Sequence, residues 1–322
     1  MKVLVVGVGF MGAMHARAVH ETRSVELCGV VDRSADAARA VGAQLGVPAF
    51  TDLEAAIREL APDAAVVATP DSAHLHPVRV LIEAGVHVLV EKPLATSIDD
   101  AEAIADLAER HGTRLMTGHI TRFMARYAGV VDAVRSGRLG RPVMITTSTW
   151  GPRSIGARVA STTSPLWHFA IHDIDLIQWI GRGEIDEVDG AQLLESPSGV
   201  ATFTATGVLT NGMGFNLVTG WTLPDTAAPR WDLKVHCEDG MIQSTKSNDS
   251  VTEYSAEGVD EPDRTAWPVM YDRIEGALRL EVGHFLDALA TGTPFLVSVD
   301  DAIAAVRGAT ALEKASVARR AS

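Results

Sequence analysis

The chain has 322 residues, 47 % apolar and 21 % charged, which is ordinary globular usage and enough length for one large or two ordinary domains. Its formal net charge of −13 argues against nucleic acid and anionic membrane surfaces as partners, though a local basic pocket for a small substrate stays open. With only Cys28 and Cys237 present, a disulfide scaffold is excluded and a reducing compartment is expected.

The opening stretch MKVLVVGVGFMG carries one basic residue, a short apolar run and glycines spaced as in a phosphate loop. No cleavage-like segment follows, so it reads as structure rather than an export signal. No run approaches bilayer-spanning length. A soluble cytoplasmic protein is expected.

Up to about residue 120, apolar runs (KVLVVGV, VELCGVVD, AAVVAT, VHVLVEKP, RLMTGH) alternate with Ala-rich helical stretches near 35–45, 52–60, 72–84 and 98–111. Near-continuous apolar strands between helices indicate βαβ units around a parallel sheet covered on both faces. Right-handed crossovers then make residues 1–120 a doubly wound, nucleotide-binding domain of Rossmann type.

Gly7, Gly9 and Gly12 form a G-x-G-x-x-G triplet directly after the first strand and at the start of a helix. In that context the first glycine permits the tight turn, the second lets backbone approach a pyrophosphate, and the third lets helix and strand pack closely. The helix N-terminus adds free N–H groups and a positive dipole end. The second strand ends in Asp32, at about the 20-residue spacing of a ribose-binding acid. Asp32 favours NAD, whereas the neighbouring Arg33 could pair with a 2′-phosphate, so NADP stays open. In VLVEKPLA, Lys92 falls at the carboxyl end of a parallel strand, the edge at which open α/β sheets bind ligands. There a lysine can donate to a substrate oxygen or act as acid or base.

Beyond residue 120 the pattern changes. Helical segments near 125–137 and 167–181 precede Thr-, Val- and Trp-rich runs between Ile185 and Ser255, with turn pairs Asn211-Gly212 and Asp239-Gly240. This reads as an antiparallel meander with hairpins, followed by a surface loop at 255–268 and a final helix near 300–318. Residues 121–322 are therefore expected to form an α+β domain with a largely antiparallel open sheet.

The stretch WHFAIHDIDLIQWI sets His168 and His172 four residues apart in an apolar helical run, with Asp173 and Asp175 close behind. An i, i+4 histidine pair can chelate a metal, but no third ligand is evident and the Glu of H-E-x-x-H is missing, so no metal is expected. Two buried, hydrogen-bonded core histidines remain an alternative. A proton-handling site is the preferred reading, with the two aspartates as structural partners or solvated acids. Arg122, Trp150 and Arg153 are candidates for lining a substrate pocket, since an arginine can clamp a phosphate or carboxylate bidentately. His15 reads as packing.

Taken in order, GVGFMGAMHA, ATPDSAHLHP, EKPLA, TGHITRF and IHDIDLIQWI resemble the glucose–fructose oxidoreductase / inositol dehydrogenase (Gfo/Idh/MocA) family over essentially the whole chain. The branch containing UDP-N-acetylglucosamine 3-dehydrogenases and other sugar dehydrogenases is most similar. The resemblance implies a Rossmann domain joined to an α+β substrate-binding and oligomerisation domain, assembled as a homodimer or homotetramer. It also implies NAD(P)-dependent transfer of a hydride between the nicotinamide and a secondary alcohol or ketone of a sugar, sugar nucleotide or cyclitol. Lys92 matches the family's EKP lysine, and His172 the proton-transferring histidine of its D-x-x-x-H-D pattern. The resemblance further implies that Phe10 and Met11 of the glycine loop, Thr69, Pro70 and His74 of the T-P-x-x-x-H loop, and Glu91 border the cofactor. His168 stands where the family pattern has aspartate. On a helix it would share a face with His172 and could contact substrate or relay a proton, but it cannot supply a full negative charge. The departure keeps two further readings open, a non-catalytic cofactor-binding regulator and a redox-neutral NAD-dependent glycosidase.

Overall fold

The computed structural model describes residues 1–196, 200–245, 253–255, 258–260 and 265–320. They fall into two compact units, Met1–Ile120 with Ala266–Ile303, and Thr121–Thr265 with Ala304–Ser322.

The first unit opens with β1 (Lys2–Val6), α1 (Phe10–His20), β2 (Glu26–Val31), α2 (Ala35–Leu45), β3 (Ala49–Phe50), α3 (Leu53–Leu60) and β4 (Ala64–Val67). It continues with α4 (Leu75–Glu83), β5 (His87–Glu91), α5 (Ile98–His111) and β6 (Leu115–Gly118). All strand pairs are parallel, in the order β3-β2-β1-β4-β5-β6. Chain order reverses between β1 and β4, the switch point at which such sheets form a ligand crevice. Val3, Leu4 and Val5 of β1, with Ala64, Ala65 and Val67 of β4, are fully buried. Each Val or Leu of this kind contributes about 1.5–3 kcal/mol. The helices start where side-chain caps allow: Ser34, Asp52 and Ser97 accept from N–H groups of the first turns of α2, α3 and α5.

The second unit holds α6 (Ala125–Arg135), β7 (Pro142–Pro152), α7 (Arg153–Val159), a π-helical turn Leu166–Ala170 and α8 (Ile171–Gly181). Then come β8 (Ile185–Glu195), β9 (Ala201–Leu209), β10 (Gly214–Leu223), β11 (Arg230–Cys237), β12 (Gly240–Thr245) and the short pair β13 (Glu253–Ser255) and β14 (Gly258–Asp260). The large sheet has the order β12-β11-β7-β10-β9-β8. The expected meander is present in β8-β9-β10, and Asp239-Gly240 turns the β11-β12 hairpin. However, β7 inserts between β10 and β11 and runs parallel to β10. A strand arriving from outside the meander has no local turn to force it antiparallel, so sequence spacing within the meander could not show this pairing. Inward residues alternate strictly along β9 and bring Phe203, Ala205 and Leu209 to the core side. The other face is half-exposed and carries Thr202, Thr204 and Thr206.

The chain then contributes β15 (Val269–Met270), β16 (Arg273–Ile274) and α9 (Ala277–Thr291) to the first unit and ends in α10 (Val299–Arg320). A single break at residue 120 leaves this return out. What brings 266–303 back is polar as well as apolar. Arg114 donates to the carbonyls of Ala288 and Thr293, Glu21 accepts from the Ile274 N–H at 2.7 Å, and Phe285 and Leu286 are buried. Of the expected surface loop 255–268, residues 256–257 and 261–264 lie outside the described residues.

A buried ion pair anchors α8. Arg122 Nε donates to both Asp175 oxygens at 2.9 and 3.1 Å and Nη2 to one of them at 2.7 Å, with both residues almost wholly buried. Arg122 also stacks over Trp179 at 5.1 Å. Asp175→Ala would leave the guanidinium without this counter-charge, so a loss of about 3–5 kcal/mol is expected. A urea titration checks it, and an unchanged midpoint would contradict the role assigned to the pair.

Candidate active site

Each unit gathers a distinct cluster of polar groups. In the first, Gly7 takes φ of +84° to make the turn after β1, and its N–H donates to Val31 O at 2.8 Å. A Cβ on Gly12 would lie 1.8 Å from Gly7 O, so only hydrogen fits where α1 crosses the turn. A Cβ on Gly9 would meet nothing within 4 Å. That open space lies at the N-cap of α1, which has neither a side-chain cap nor an acidic residue in its first turn. Free N–H groups beside open space are what a pyrophosphate needs, so the loop fits the phosphates of a dinucleotide. Phe10 is exposed and Met11 half-buried in the same turn. Asp32 accepts from the N–H of Val8 and of Ser34, each at 2.8 Å, and so stays fixed beside the glycine loop with lone pairs left over. Arg33 is exposed.

At the carboxyl ends of β4 and β5, His74 bridges two loops: its ring nitrogens lie 2.7 Å from Pro93 O and 3.0 Å from Thr69 O. Pro70 caps the short turn that follows Thr69. Lys92 is half-buried one residue beyond β5. Glu91 carries more than a cofactor border requires. Its carboxylate meets His15 Nε2 at 2.7 Å and accepts from the Lys92 N–H at 3.3 Å. Burial pushes the Glu91 carboxyl up, but the bond and charge of His15, with Lys92 and His74, outweigh it and hold it below the usual range. Glu281 on α9 is fully buried beside this group, and both its oxygens lack a partner among the described residues. Burial first, and the Glu91 charge second, hold it well above the usual range. The cluster thus sets a carboxyl held below the usual range, Glu91, beside one held well above it, Glu281. Sequence reading gave Glu281 no role, because a lone glutamate in the EVGHF segment carries no spacing signal.

In the second unit, the π-helical turn carries His168 into α8. Insertions of this type recur at functional sites because they re-aim side chains. The His168 ring lies 4.8 Å from Phe169 and 5.9 Å from Trp221, while the His172 ring lies 5.8 Å from Trp231. His172 is buried and His168 half-buried. Neither aspartate is a solvated acid. Asp175 is spent on Arg122, and Asp173 is buried with Oδ1 accepting from the Thr149 hydroxyl at 3.0 Å. Burial raises the Asp173 carboxyl to about 7, against the opposing pull of the Thr149 and Thr147 hydroxyls.

The three expected pocket residues are placed as follows. The Arg122 guanidinium is buried in the pair with Asp175 rather than offered to a ligand. Trp150 alternates to the sheet face opposite Thr149, whose hydroxyl meets Asp173. Arg153 is exposed at the start of α7. A cavity of about 500 Å³ lined by Glu102, Arg114 and Phe295 lies at the amino end of β6, away from the strand ends that carry Lys92. Among the described residues, no three His, Cys, Asp or Glu side chains form a metal-binding group, and no helix is long and apolar enough to cross a membrane.

Comparison with known proteins agrees with the Rossmann fold of the first unit. Residues 1–119 match the GFO/IDH/MocA profile described as "oxidoreductase family, NAD-binding Rossmann fold", and residues 127–243 match the GFO/IDH/MocA C-terminal domain. The chain is 26 % identical to UDP-N-acetylglucosamine 3-dehydrogenase of Acidithiobacillus ferrooxidans, across 91 % of this chain and 90 % of that protein. It is 29 % identical to inositol 2-dehydrogenase 2 of Paenarthrobacter aurescens, across 94 % and 92 %. The structure of scyllo-inositol dehydrogenase from Lactobacillus casei with NAD(H) and scyllo-inositol superposes with a TM-score of 0.85 at 20 % identity, covering 99 % of this chain and 97 % of that one, and so shares its fold.

Two measurements probe these clusters. Gly9→Ala should leave the thermal midpoint of the cofactor-free protein unchanged, because its Cβ enters open space, yet weaken NAD binding by about tenfold or more where backbone must approach phosphate. Undiminished affinity in a calorimetric titration would contradict that placement. For Asp173, a folded-state value near 7 stands above the unfolded value of about 3.9. Folding therefore takes up a proton between those values, and this group's contribution to stability falls as pH rises from about 4 to about 7. Asp173→Asn should remove that slope, on the order of a few kcal/mol, in urea midpoints taken at about pH 5 and about pH 8. Parallel pH profiles for wild type and variant would contradict it.

Proposed function

As a member of the GFO/IDH/MocA oxidoreductase family, this chain, we propose, is a dehydrogenase that oxidises a secondary alcohol of a sugar, sugar nucleotide or cyclitol, or reduces the corresponding ketone. The observation that carries the proposal is the uncapped α1 N-terminus facing open space at Gly9, in a sheet whose carboxyl edge also carries Lys92. The substrate range rests on the sugar-nucleotide and inositol dehydrogenases to which the chain is similar. NAD, held by the glycine loop and Asp32, supplies the hydride-accepting ring when bound.

The remaining chemistry falls to the side chains. Oxidising a carbinol requires removal of the hydroxyl proton, and His172 is the proposed base. Lys92 is proposed to donate to the reacting oxygen, stabilising charge that develops there. The His15–Glu91 pair supports Lys92 by fixing the residue immediately before it. His168 is proposed to hydrogen-bond a substrate hydroxyl, and a homodimer or homotetramer completes the proposal.

The test follows the absorbance of reduced nicotinamide with NAD or NADP and a panel of inositols, free sugars and UDP-sugars. Turnover by the native protein is expected with NAD. Lys92→Ala and His172→Ala should each lower kcat by about 100-fold or more while NAD binding persists. Near-normal turnover in both variants would overturn the assigned roles. A native protein that binds NAD and reduces none of it across the panel would favour a regulator, and release of an aglycone without reduced cofactor a redox-neutral glycosidase.

A further inference from the structure

Arg126 sits in the first turn of α6 and, among the described residues, forms no ion pair. Its Nη2 donates to Met124 Sδ at 3.3 Å and its side chain hydrogen-bonds that of Tyr127, while its Nε is buried without a partner. Thioether sulfur is a weak acceptor, and a guanidinium presents five donors. A partly buried cation with unspent donors is costly unless a counter-charge arrives. The guanidinium carbon lies 4.8 Å from the Tyr127 ring and 5.8 Å from the Trp231 ring. Trp231 is in turn 5.8 Å from the His172 ring, so one half-buried indole lies near both the proposed base and a cation with no carboxylate partner among the described residues. Indole faces pack well against sugar and cyclitol rings.

We propose that Arg126, with Trp231 as the platform between it and His172, binds an oxyanion, carboxylate or phosphate, carried by the substrate. The proposal rests on the dehydrogenase reading for its substrate ring and narrows it from any sugar or cyclitol to one bearing an acidic group. Other charges face the same cluster. Asp232 follows Trp231 on β11, and Tyr127 lies within electrostatic reach of Arg126, Asp173 and Asp232. Asp173 is largely protonated below neutrality, so it opposes an incoming anion least under mildly acidic conditions. Arg126 also differs in kind from Arg122, four residues earlier, whose guanidinium is already neutralised by Asp175.

The test compares D-glucuronate, a hexose phosphate and UDP-N-acetylglucosamine with neutral D-glucose and myo-inositol, using NAD-loaded native protein, Arg126→Gln and Arg126→Lys. Calorimetric binding is measured alongside turnover. The native protein is expected to prefer an anionic compound over its neutral counterpart, and Arg126→Gln to reduce that preference about 10–100-fold, the worth of a hydrogen bond to a charged group. Arg126→Lys should restore part of the preference when the ligand is a phosphate and less when it is a carboxylate, which needs the planar fork. That contrast separates the two sources of oxyanion. If no compound is oxidised yet glucuronate or phosphate still binds through Arg126, the dehydrogenase reading fails and the anion site stands. Equal binding of neutral and acidic compounds, or a preference unchanged in Arg126→Gln, overturns the anion site whatever the turnover.

Discussion

The close approach of helix α1 to the turn after β1 is the constraint on which the first unit depends. With only hydrogen at Gly12, the helix can start against Gly7 O, so its unsatisfied N–H groups are presented at the switch point between β1 and β4. The same packing brings His15, on the inner side of α1, to the Glu91 carboxylate at the end of β5. One steric requirement thus sets the phosphate loop and, through His15 and Glu91, the backbone N–H of Lys92.

Both units bury ionisable groups, by two different solutions. In the second, Arg122 and Asp175 neutralise one another with three short hydrogen bonds, a rigid arrangement whose desolvation is offset only while both partners remain. In the first, His15 draws the Glu91 carboxyl below the usual range, while burial holds Glu281 beside it well above. Asp173 is an intermediate case. Supported by hydroxyls but no cation, it titrates near neutrality next to His172 in the chain. Groups poised in this way cluster at functional sites, and here they lie along the strand ends of one unit and the helix-covered sheet face of the other.

The Rossmann half was legible because its signals are local. The glycine triplet, Asp32 at the end of the next strand and the strand-end Lys92 each follow from spacing along the chain. The antiparallel hairpins were legible for the same reason. Long-range effects were not. The return of 266–303 to the first unit depends on partners 174 residues away in the case of Arg114 and Ala288, and the parallel insertion of β7 on partners 70 residues on in β10. Arg122 read as a ligand-binding arginine because nothing local distinguishes it from one, and Asp175, 53 residues on, decides the matter. Trp150 read as pocket-lining, yet strand alternation turns it from Thr149 to the other sheet face. Arg126 and Glu281 drew no attention, since an unpaired buried atom has no sequence signature.

Transfer of a hydride between substrate and nicotinamide is the central claim, and isotopic labelling tests it most directly. A substrate deuterated at the carbinol carbon, incubated with native protein and NAD, should yield reduced nicotinamide carrying that deuterium by mass spectrometry. Deuterium released to solvent, or retained in a modified product with no reduced nicotinamide, would contradict it.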